Sequence, residues 1–398
     1  MTLTRRQTLF SAALGAASLS IPASAAGGGQ SSKRLVVIML RGGLDGLAAA
    51  PPLADPAHEA ARKGLALTAS GERAALKLDS FFGLHPALGA FAKLYAAKQL
   101  TLIHAAGTPY RERSHFDAQN VLETGAGAPN ARATGWLNAA LAGLPQTSAA
   151  GRKELAIAMA QQAPLILRGA APAATWSPSP LPDADADTVM RLMDLYSARD
   201  ASLAKALAGA KEANMLAGDM AGGGGRNGAF TSLAQTAGKF LKKPEGPVAA
   251  VLELNGWDTH ANQQPMQGAL ARSLTQLNDG VAALQTELGP VWRETVVVVA
   301  TEFGRTVAMN GTRGTDHGSG AAAFLLGGAV AGGKVVADWP GLAPGQLQEG
   351  RDLRITIDLF GVLKGVLSDH MGVARSALDN QVFPQSIAAA PRGGLILA

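Results

Sequence analysis

Five short, mostly apolar runs recur along the chain, and each ends in glycine or in polar residues. They lie at 34–40, 100–104, 248–254, 295–300 and 322–326. Runs of this length with such boundaries are typical of strands that are buried on both faces. Helical patterns lie between them, at 86–98, 187–209, 229–242 and 265–288. The alternation predicts an α/β fold with a mainly parallel sheet and helices on both faces.

Polar residues that can carry chemistry follow the predicted strands or precede the last one. In chain order these candidates are Asp45, Arg113, Ser114, Asp258, His260, Glu302, Arg305 and His317. In parallel sheets the functional side chains gather where strands end and loops begin. We therefore expect these segments to meet above one edge of the sheet.

Composition narrows the chemistry that this edge can support. Hydrophobic residues make up 47% of the 398 residues and charged residues 16%, which excludes a disordered chain. The chain has no cysteine, so disulfides, thiolate metal sites and cysteine nucleophiles are excluded. A metal would need histidine and carboxylate ligands, and a covalent step would need serine or threonine. The net charge of +5 includes no basic block, so we expect no nucleic-acid partner.

The first 33 residues have the pattern of a targeting segment. Arg5 and Arg6 precede an apolar run at 12–21 and a small-residue stretch at 22–26. This order predicts a twin-arginine signal peptide over 1–26, cleaved near Ala25 and Ala26, then a linker over 27–33 and a folded domain over 34–398. We expect a periplasmic or secreted protein that uses the twin-arginine export machinery. The apolar run is too short for a stable membrane span, although an uncleaved anchor is the alternative.

Two short motifs suggest ligands for a divalent cation. Asp258 and His260 are two residues apart, so in an extended segment both side chains project to the same side. Asp316 and His317 lie among glycines that let the backbone approach an ion. Carboxylates suit Mg²⁺, Ca²⁺ and Mn²⁺, whereas zinc-like ions also accept imidazole. Read alone, each motif is equally compatible with a solvated loop.

Ser114 has two interpretations that use the same local geometry. Asp117 follows three residues later, which is a helix-capping pattern. A helix N-terminus also offers free N–H groups and partial positive charge that stabilise an alkoxide or an anion. Ser114 is therefore either a helix cap or a nucleophile. Arg41, Arg111, Arg113 and Arg305 are candidate partners for an oxyanion.

Several segments together resemble a bacterial family known as domain of unknown function 1501. The matching segments are Arg41-Gly42-Gly43-Leu44-Asp45-Gly46, Arg113-Ser114-His115-Phe116-Asp117-Ala118-Gln119, Gly256-Trp257-Asp258-Thr259-His260, Thr301-Glu302-Phe303-Gly304-Arg305-Thr306, Gly314-Thr315-Asp316-His317-Gly318 and Asp338-Trp339-Pro340-Gly341-Leu342. That family resembles the alkaline phosphatase and sulfatase superfamily. The resemblance implies an alkaline-phosphatase-like sheet and one or two divalent metals. It implies Ser114 as the nucleophile and, as metal ligands, Asp45, Asp258, His260, Glu302 and His317.

Three functions are compatible with these observations. The first is a metal-dependent hydrolase of phosphate or sulfate esters, with Ser114 attacking a small ester substrate. The second is a non-catalytic envelope protein that binds a ligand or supports an assembly on the same scaffold. The third is a metal-free serine hydrolase, although the chain lacks the usual Gly-x-Ser-x-Gly turn.

Overall fold

The structure is a computed structural model that describes residues 32–178, 185–217, 226–386 and 388–398. The predicted signal peptide over 1–26 and most of the predicted linker lie outside these ranges, so both stay predictions. No helix among the described residues is long and apolar enough to cross a membrane.

The five predicted strands are all present, together with several shorter ones. The strands are β1 Arg34–Arg41, β2 Leu76–Lys77, β3 Gly83–Leu84, β4 Leu100–Gly107, β5 Ala156–Ala158, β6 Ala173–Thr175, β7 Ala249–Asn255, β8 Thr295–Thr301, β9 Ala321–Leu326, β10 Lys334–Val336 and β11 Ile357–Asp358. Every residue of β4, β8 and β9 is buried, as their continuous apolar sequence predicts.

Nine strands form one sheet in the order β10-β4-β9-β8-β1-β7-β5-β6, with β11 also paired to β4. The pairs of β1 with β7 and β8 are parallel, as are those of β4 with β10 and β11 and those of β5 with β6 and β7. Among the strands of this sheet within the described residues, only β9 runs antiparallel to its two neighbours, β4 and β8. The predicted α/β fold with a mainly parallel sheet is confirmed. The strands β2 and β3 form a separate antiparallel pair.

Helices occupy the regions where the sequence predicts them, and further short helices lie in the loops. They are α1 Gly46–Ala49, α2 His58–Arg62, α3 Gly89–Ala96, α4 His115–Thr124, α5 Trp136–Ala142, α6 Gln146–Ala149, α7 Ala186–Arg199, α8 Ala201–Ala217, α9 Arg226–Leu241, α10 Ala269–Leu288, α11 Leu359–Asp369 and α12 Arg375–Ala377. The single helix predicted at 187–209 is divided at Asp200. The extended backbone of Asp200 ends α7. The carboxylate of Asp200 accepts hydrogen bonds from the amides of Ser202 and Leu203 at the start of α8.

Helices cover both faces of the sheet, because successive side chains of a strand point in opposite directions. In β1, Val37 belongs to a core that includes residues of α4, α5 and α11, whereas Ile38 belongs to a core that includes residues of α3, α9 and α10. The strands are therefore buried on both sides, as expected for a parallel sheet.

The direction of the strands places five loops at the same edge of the sheet. Strands β1, β4, β7 and β8 run the same way, so their carboxyl ends share this edge. Since β9 runs in the opposite direction, the loop that precedes it reaches this edge as well. The strand directions thus explain why the polar loops lie above one edge of the sheet, as the sequence predicts.

Candidate metal centre

Three histidines and one aspartate converge at this edge; we call His115, His260, His317 and Asp258 the His–Asp cluster. The Nε2 atom of His317 lies 3.0 Å from Nε2 of His115 and 3.0 Å from Nε2 of His260. Asp258 Oδ1 lies 3.1 Å from His260 Nε2 and 3.2 Å from His317 Nε2. Its other oxygen, Oδ2, lies 3.5 Å from His115 Nε2. The carboxylate of Asp258 is therefore in contact with all three imidazoles, and His317 with both of the others.

Each imidazole of the His–Asp cluster has a hydrogen-bond acceptor at its other ring nitrogen. His115 Nδ1 is 2.9 Å from Glu302 Oε1, and His260 Nδ1 is 3.1 Å from Asp316 Oδ1. His317 Nδ1 is 3.1 Å from the backbone oxygen of Arg113. Two carboxylates and a carbonyl can only accept, so each Nδ1 carries the hydrogen.

In a neutral imidazole this tautomer leaves the lone pair on Nε2, the atom that contacts the other members of the cluster. Two neutral imidazoles in this state cannot form a hydrogen bond across 3.0 Å, because neither nitrogen is a donor. A proton or a metal cation between them removes the repulsion. Metal-binding histidines have this arrangement, with the second ring nitrogen donating to a carboxylate or carbonyl group.

The spacing of His115, Asp258 and His317 fits a small tetrahedral ion. Zinc–nitrogen bonds of ~2.0–2.1 Å in a tetrahedron place the ligand atoms about 3.3 Å apart. The contacts among these three side chains range from 3.0 to 3.5 Å. The side chains of the His–Asp cluster are 24–44% exposed, so solvent reaches the site. His115, Asp258 and His317 thus could hold a metal ion.

The electrostatics of the His–Asp cluster differ from one side chain to the next. The hydrogen bond to Glu302 raises the pKa of His115, whereas burial lowers the pKa of His317. Burial acts to raise the pKa of Asp258, but the hydrogen bond from Arg305 outweighs it and holds this pKa below its usual value. Asp258 is therefore a carboxylate at neutral pH, as a ligand must be.

Arg305 fixes Asp258 in place. Its buried guanidinium donates from Nη1 to Asp258 Oδ1 at 2.5 Å and to the backbone oxygen of Gly42 at 3.3 Å. Its other nitrogens contact Oγ1 and the backbone oxygen of Thr315. The predicted oxyanion partner thus contacts a member of the His–Asp cluster and joins the loops after β1, β7 and β8.

The structure brings Asp258, His260 and His317 together, and it places Glu302 and Asp45 differently. Glu302 is buried, and its Oε1 accepts from Gly42 N, Gln119 Nε2 and His115 Nδ1. Glu302 therefore binds the outer ring nitrogen of His115 and does not face the centre of the His–Asp cluster. Asp45 is also buried, but its carboxylate pairs with Arg62 and accepts from Gln263 and the amide of Ala48. Among the described residues, these partners keep it out of the His–Asp cluster.

Ser114 and Arg113 lie next to the His–Asp cluster in the chain. Ser114 is the N-cap residue of α4, yet among the described hydrogen bonds its side chain makes no capping bond. Arg113 has a left-handed backbone with φ of 62°, and its carbonyl accepts from His317. Its guanidinium binds Asp352 and Glu349, each at 2.7 Å. Thus the structure gives the backbone of Arg113 a role at the site and directs its side chain towards two carboxylates.

His115 is the functional candidate that the residue-by-residue reasoning missed. It lies in a segment identified from the sequence, but the sequence analysis assigned roles there to Arg113 and Ser114 and not to His115. The signal that could have revealed it is its position at the start of a helix directly after a buried strand, where other ligand candidates also lie. The four remaining histidines are all buried, and each has a ring nitrogen near a backbone carbonyl oxygen.

Comparison with known proteins gives the chain a family but no activity. No curated protein matches it significantly. Among solved structures, the crystal structure of Ps i-CgsB in complex with k-i-k-neocarrahexaose is similar over 90% of this chain and 77% of that chain, at 10% sequence identity and a TM-score of 0.44. A family model described as "Protein of unknown function (DUF1501)" matches residues 32–380. Because this match spans most of the sequence, the chain belongs to the DUF1501 family.

Proposed function

We propose that this protein is an exported, metal-dependent hydrolase of phosphate or sulfate esters that works at the His–Asp cluster. One observation carries the proposal: the Nε2 atoms of three histidines lie within 3.5 Å of the Asp258 carboxylate, and the Nδ1 atom of each imidazole has a hydrogen-bond acceptor. Such second-layer partners are a regular feature of metal sites in proteins. Export is supported by the paired arginines and the apolar run of the first 26 residues.

The donor set favours zinc or a similar transition ion over calcium or magnesium. Three nitrogen atoms and one carboxylate suit a borderline-soft ion, whereas Ca²⁺ and Mg²⁺ prefer six or more oxygen ligands or several waters. A bound Zn²⁺ supplies Lewis-acid stabilisation of negative charge on a phosphoryl or sulfuryl oxygen.

Ser114 is the nucleophile in this proposal. It begins α4 between two residues that contribute to the site, Arg113 through its carbonyl and His115 through its ring. The N–H groups of the first turn of α4 favour an oxyanion nearby. The Ser114 oxygen forms a bond to phosphorus or sulfur, and the bond to the ester oxygen breaks. The departing alcohol takes the proton that Ser114 gives up. A water molecule then bonds to phosphorus or sulfur, the bond to the Ser114 oxygen breaks, and a proton from that water restores the serine as phosphate or sulfate leaves.

Arg305 and Arg113 act as positioning residues. Arg305 holds Asp258, and Arg113 supports His317 through its carbonyl. Because each guanidinium already has a carboxylate partner, binding to the oxygens of a substrate would have to displace that partner.

Because both guanidinium groups are already paired with carboxylates, a second candidate function is a non-catalytic protein that binds a metal ion. If His260 joins His115, Asp258 and His317, the four protein ligands leave no open position, which is typical of structural zinc sites, whereas catalytic sites commonly have three ligands and a water. In this case the His–Asp cluster would bind metal and no ester would be hydrolysed.

The decisive experiment is elemental analysis of mature protein purified without added metal, combined with assays on p-nitrophenyl phosphate and p-nitrophenyl sulfate. The variants are His317→Ala, which removes the nitrogen that contacts both other imidazoles, and Ser114→Ala. We expect about one metal per chain in the parent protein, and loss of it in His317→Ala. Ser114→Ala should keep the metal and lose turnover by a factor on the order of 10³ or more.

Each of the other possible results of this experiment would contradict a different part of the proposal. A folded parent protein that is metal-free and cannot be reloaded would rule out the metallohydrolase. Stoichiometric metal without turnover on either ester would favour the non-catalytic candidate. Inhibition by an organophosphate that persists after chelation would point to a metal-free serine hydrolase.

A further inference from the structure

An apolar cleft of about 760 Å³ lies beside the His–Asp cluster. Its apolar lining includes Ala57, Ala61, Val307, Met309, Leu342 and Leu347. Several of these residues belong to a third hydrophobic cluster, separate from the cores on the two faces of the sheet. Unlike those cores, this cluster forms the wall of an open cleft. The volume is typical of a pocket for a small molecule.

The cleft shares residues with the surroundings of the metal centre. Asp316 lines the cleft, and its carboxylate accepts from His260 Nδ1 at 3.1 Å. Arg351 also lines it and donates from Nη2 to the backbone oxygen of His317 at 2.6 Å. A ligand in the cleft would therefore lie next to residues that are hydrogen-bonded to His260 and His317 of the His–Asp cluster.

The uncharged polar atoms in the wall are already bonded within the protein. Thr306 Oγ1 donates to the carbonyl of Ala308 and accepts from the amide of Asp316. Asn310 donates to the backbone oxygen of His260 and to Asp316, and its Oδ1 accepts from the amide of Gly314. Few of these groups are left to bind the hydroxyls of a sugar, and burying unpaired hydroxyls is costly. The wall therefore selects a hydrocarbon group.

The charges at the cleft favour an anionic ligand. Lys63 and Arg351 line it and are exposed, and Arg351 also pairs with the neighbouring carboxylate of Asp352 at 3.1 Å. The one acidic residue of the lining, Asp316, accepts hydrogen bonds from His260 and Asn310. An anion with a hydrocarbon tail is complementary to this combination of cationic and apolar residues.

We propose that the cleft binds the hydrocarbon group of an amphipathic ester, an alkyl or aryl phosphate or sulfate whose anionic head lies at the His–Asp cluster. This inference rests on the proposed function, since it names the substrate class of the same site. Binding of the tail does not itself require turnover, so the two can be tested separately.

The test is isothermal titration of the mature protein with butyl, hexyl and octyl phosphonate, which carry a carbon–phosphorus bond and are not hydrolysed. The titrations use zinc-loaded protein and chelator-treated protein, with inorganic phosphate as the headgroup alone. The cleft is filled by Ala308→Phe, a substitution at an exposed lining residue that the fold should tolerate. Ala97→Phe, at an exposed alanine outside the lining, is the matched control.

We expect affinity to rise about two- to fourfold per methylene group, as burial of hydrocarbon predicts. Ala308→Phe should flatten this dependence without changing the affinity for inorganic phosphate, and Ala97→Phe should change neither. Affinity that is independent of chain length, or a dependence that persists in Ala308→Phe, would overturn the proposal. The affinity of chelator-treated protein could still depend on chain length while neither ester is hydrolysed. That result would contradict the proposed hydrolase but would support binding of hydrocarbon in the cleft.

Discussion

Glu302 Oε1 lies 2.9 Å from His115 Nδ1, although 187 residues separate them in the chain. The same oxygen accepts from the amide of Gly42 and from Gln119, so one buried carboxylate connects the ends of β1 and β8 with α4. Burial acts to raise the pKa of Glu302, but these hydrogen bonds outweigh it and hold the pKa below its usual value. The orientation of the His115 ring therefore depends on a charge in the second layer of the site.

Glu302→Gln should weaken metal binding without unfolding the protein. The amide keeps the shape of the side chain but removes the charge that fixes the His115 tautomer, and such changes typically cost about 10- to 100-fold in affinity. Competition for Zn²⁺ with a chromophoric chelator measures this. Glu253→Gln, at a half-buried carboxylate bonded to Arg41, is the control and should bind normally. Equal affinity in a folded Glu302→Gln protein would contradict the role given to Glu302.

Gly314→Ala should disturb the loops that carry His260 and His317. A Cβ at Gly314 would lie 2.3 Å from the backbone carbon and oxygen of His260, closer than atoms can pack. We expect a loss of stability of about 1–3 kcal/mol and weaker Zn²⁺ binding. Gly311, in the same loop, has no atom within 4 Å of such a Cβ. Gly311→Ala should thus be neutral in denaturation and metal titration, and similar losses in both variants would refute the steric explanation.

Breaking the Asp45–Arg62 ion pair should destabilise the fold strongly. The two groups are 2.5 Å apart and 0–1% exposed, so Asp45→Asn leaves a buried charge that costs about 3–5 kcal/mol. Adding Arg62→Met should restore part of this loss in urea unfolding, because the unpaired charge is then gone. The exposed pair of Asp187 and Arg191 is the control, and Asp187→Asn should cost less than about 1 kcal/mol. Additive losses in the double variant would contradict a coupled pair.

Buried histidines should make the protein less stable as the pH falls from about 6.5 towards 4. Burial lowers the pKa of His104 and that of His370 to about 4 each, from 6.5. The unfolded chain binds these protons more readily, so the stabilisation is complete above about pH 6.5 and is lost as the pH falls towards the folded value. Burial lowers the pKa of His58 and His85 as well, which acts in the same direction.

His370→Gln tests this contribution, since an amide can still donate to the backbone oxygen of Arg34 but does not titrate. Between about pH 7.5 and pH 5, the free energy of unfolding should fall by about 2 kcal/mol less in the variant than in the parent protein. The measurement is urea unfolding at both pH values. Parallel losses in the two proteins would show that His370 does not contribute.

The sequence contained enough information to predict the elements of the fold. The run at 295–300 is apolar at nearly every position, so it predicted a fully buried strand, and β8 is one. It did not indicate the reversed direction of β9, because direction depends on pairing with β4 and β8 and leaves no local pattern. The break at Asp200 was missed because the helical pattern continues on both sides of it.

By itself, the sequence determined the α/β fold class, the absence of cysteine chemistry and the placement of carboxylates and imidazoles at strand ends. These features depend on local apolar periodicity and composition, which can be read without distances. Only the tertiary structure decided which donors converge. It added His115 beside His317, which is 202 residues away, and it paired Asp45 with Arg62. The reason is physical: contacts between loops depend on strand order and loop conformation, and these form only when the whole chain packs.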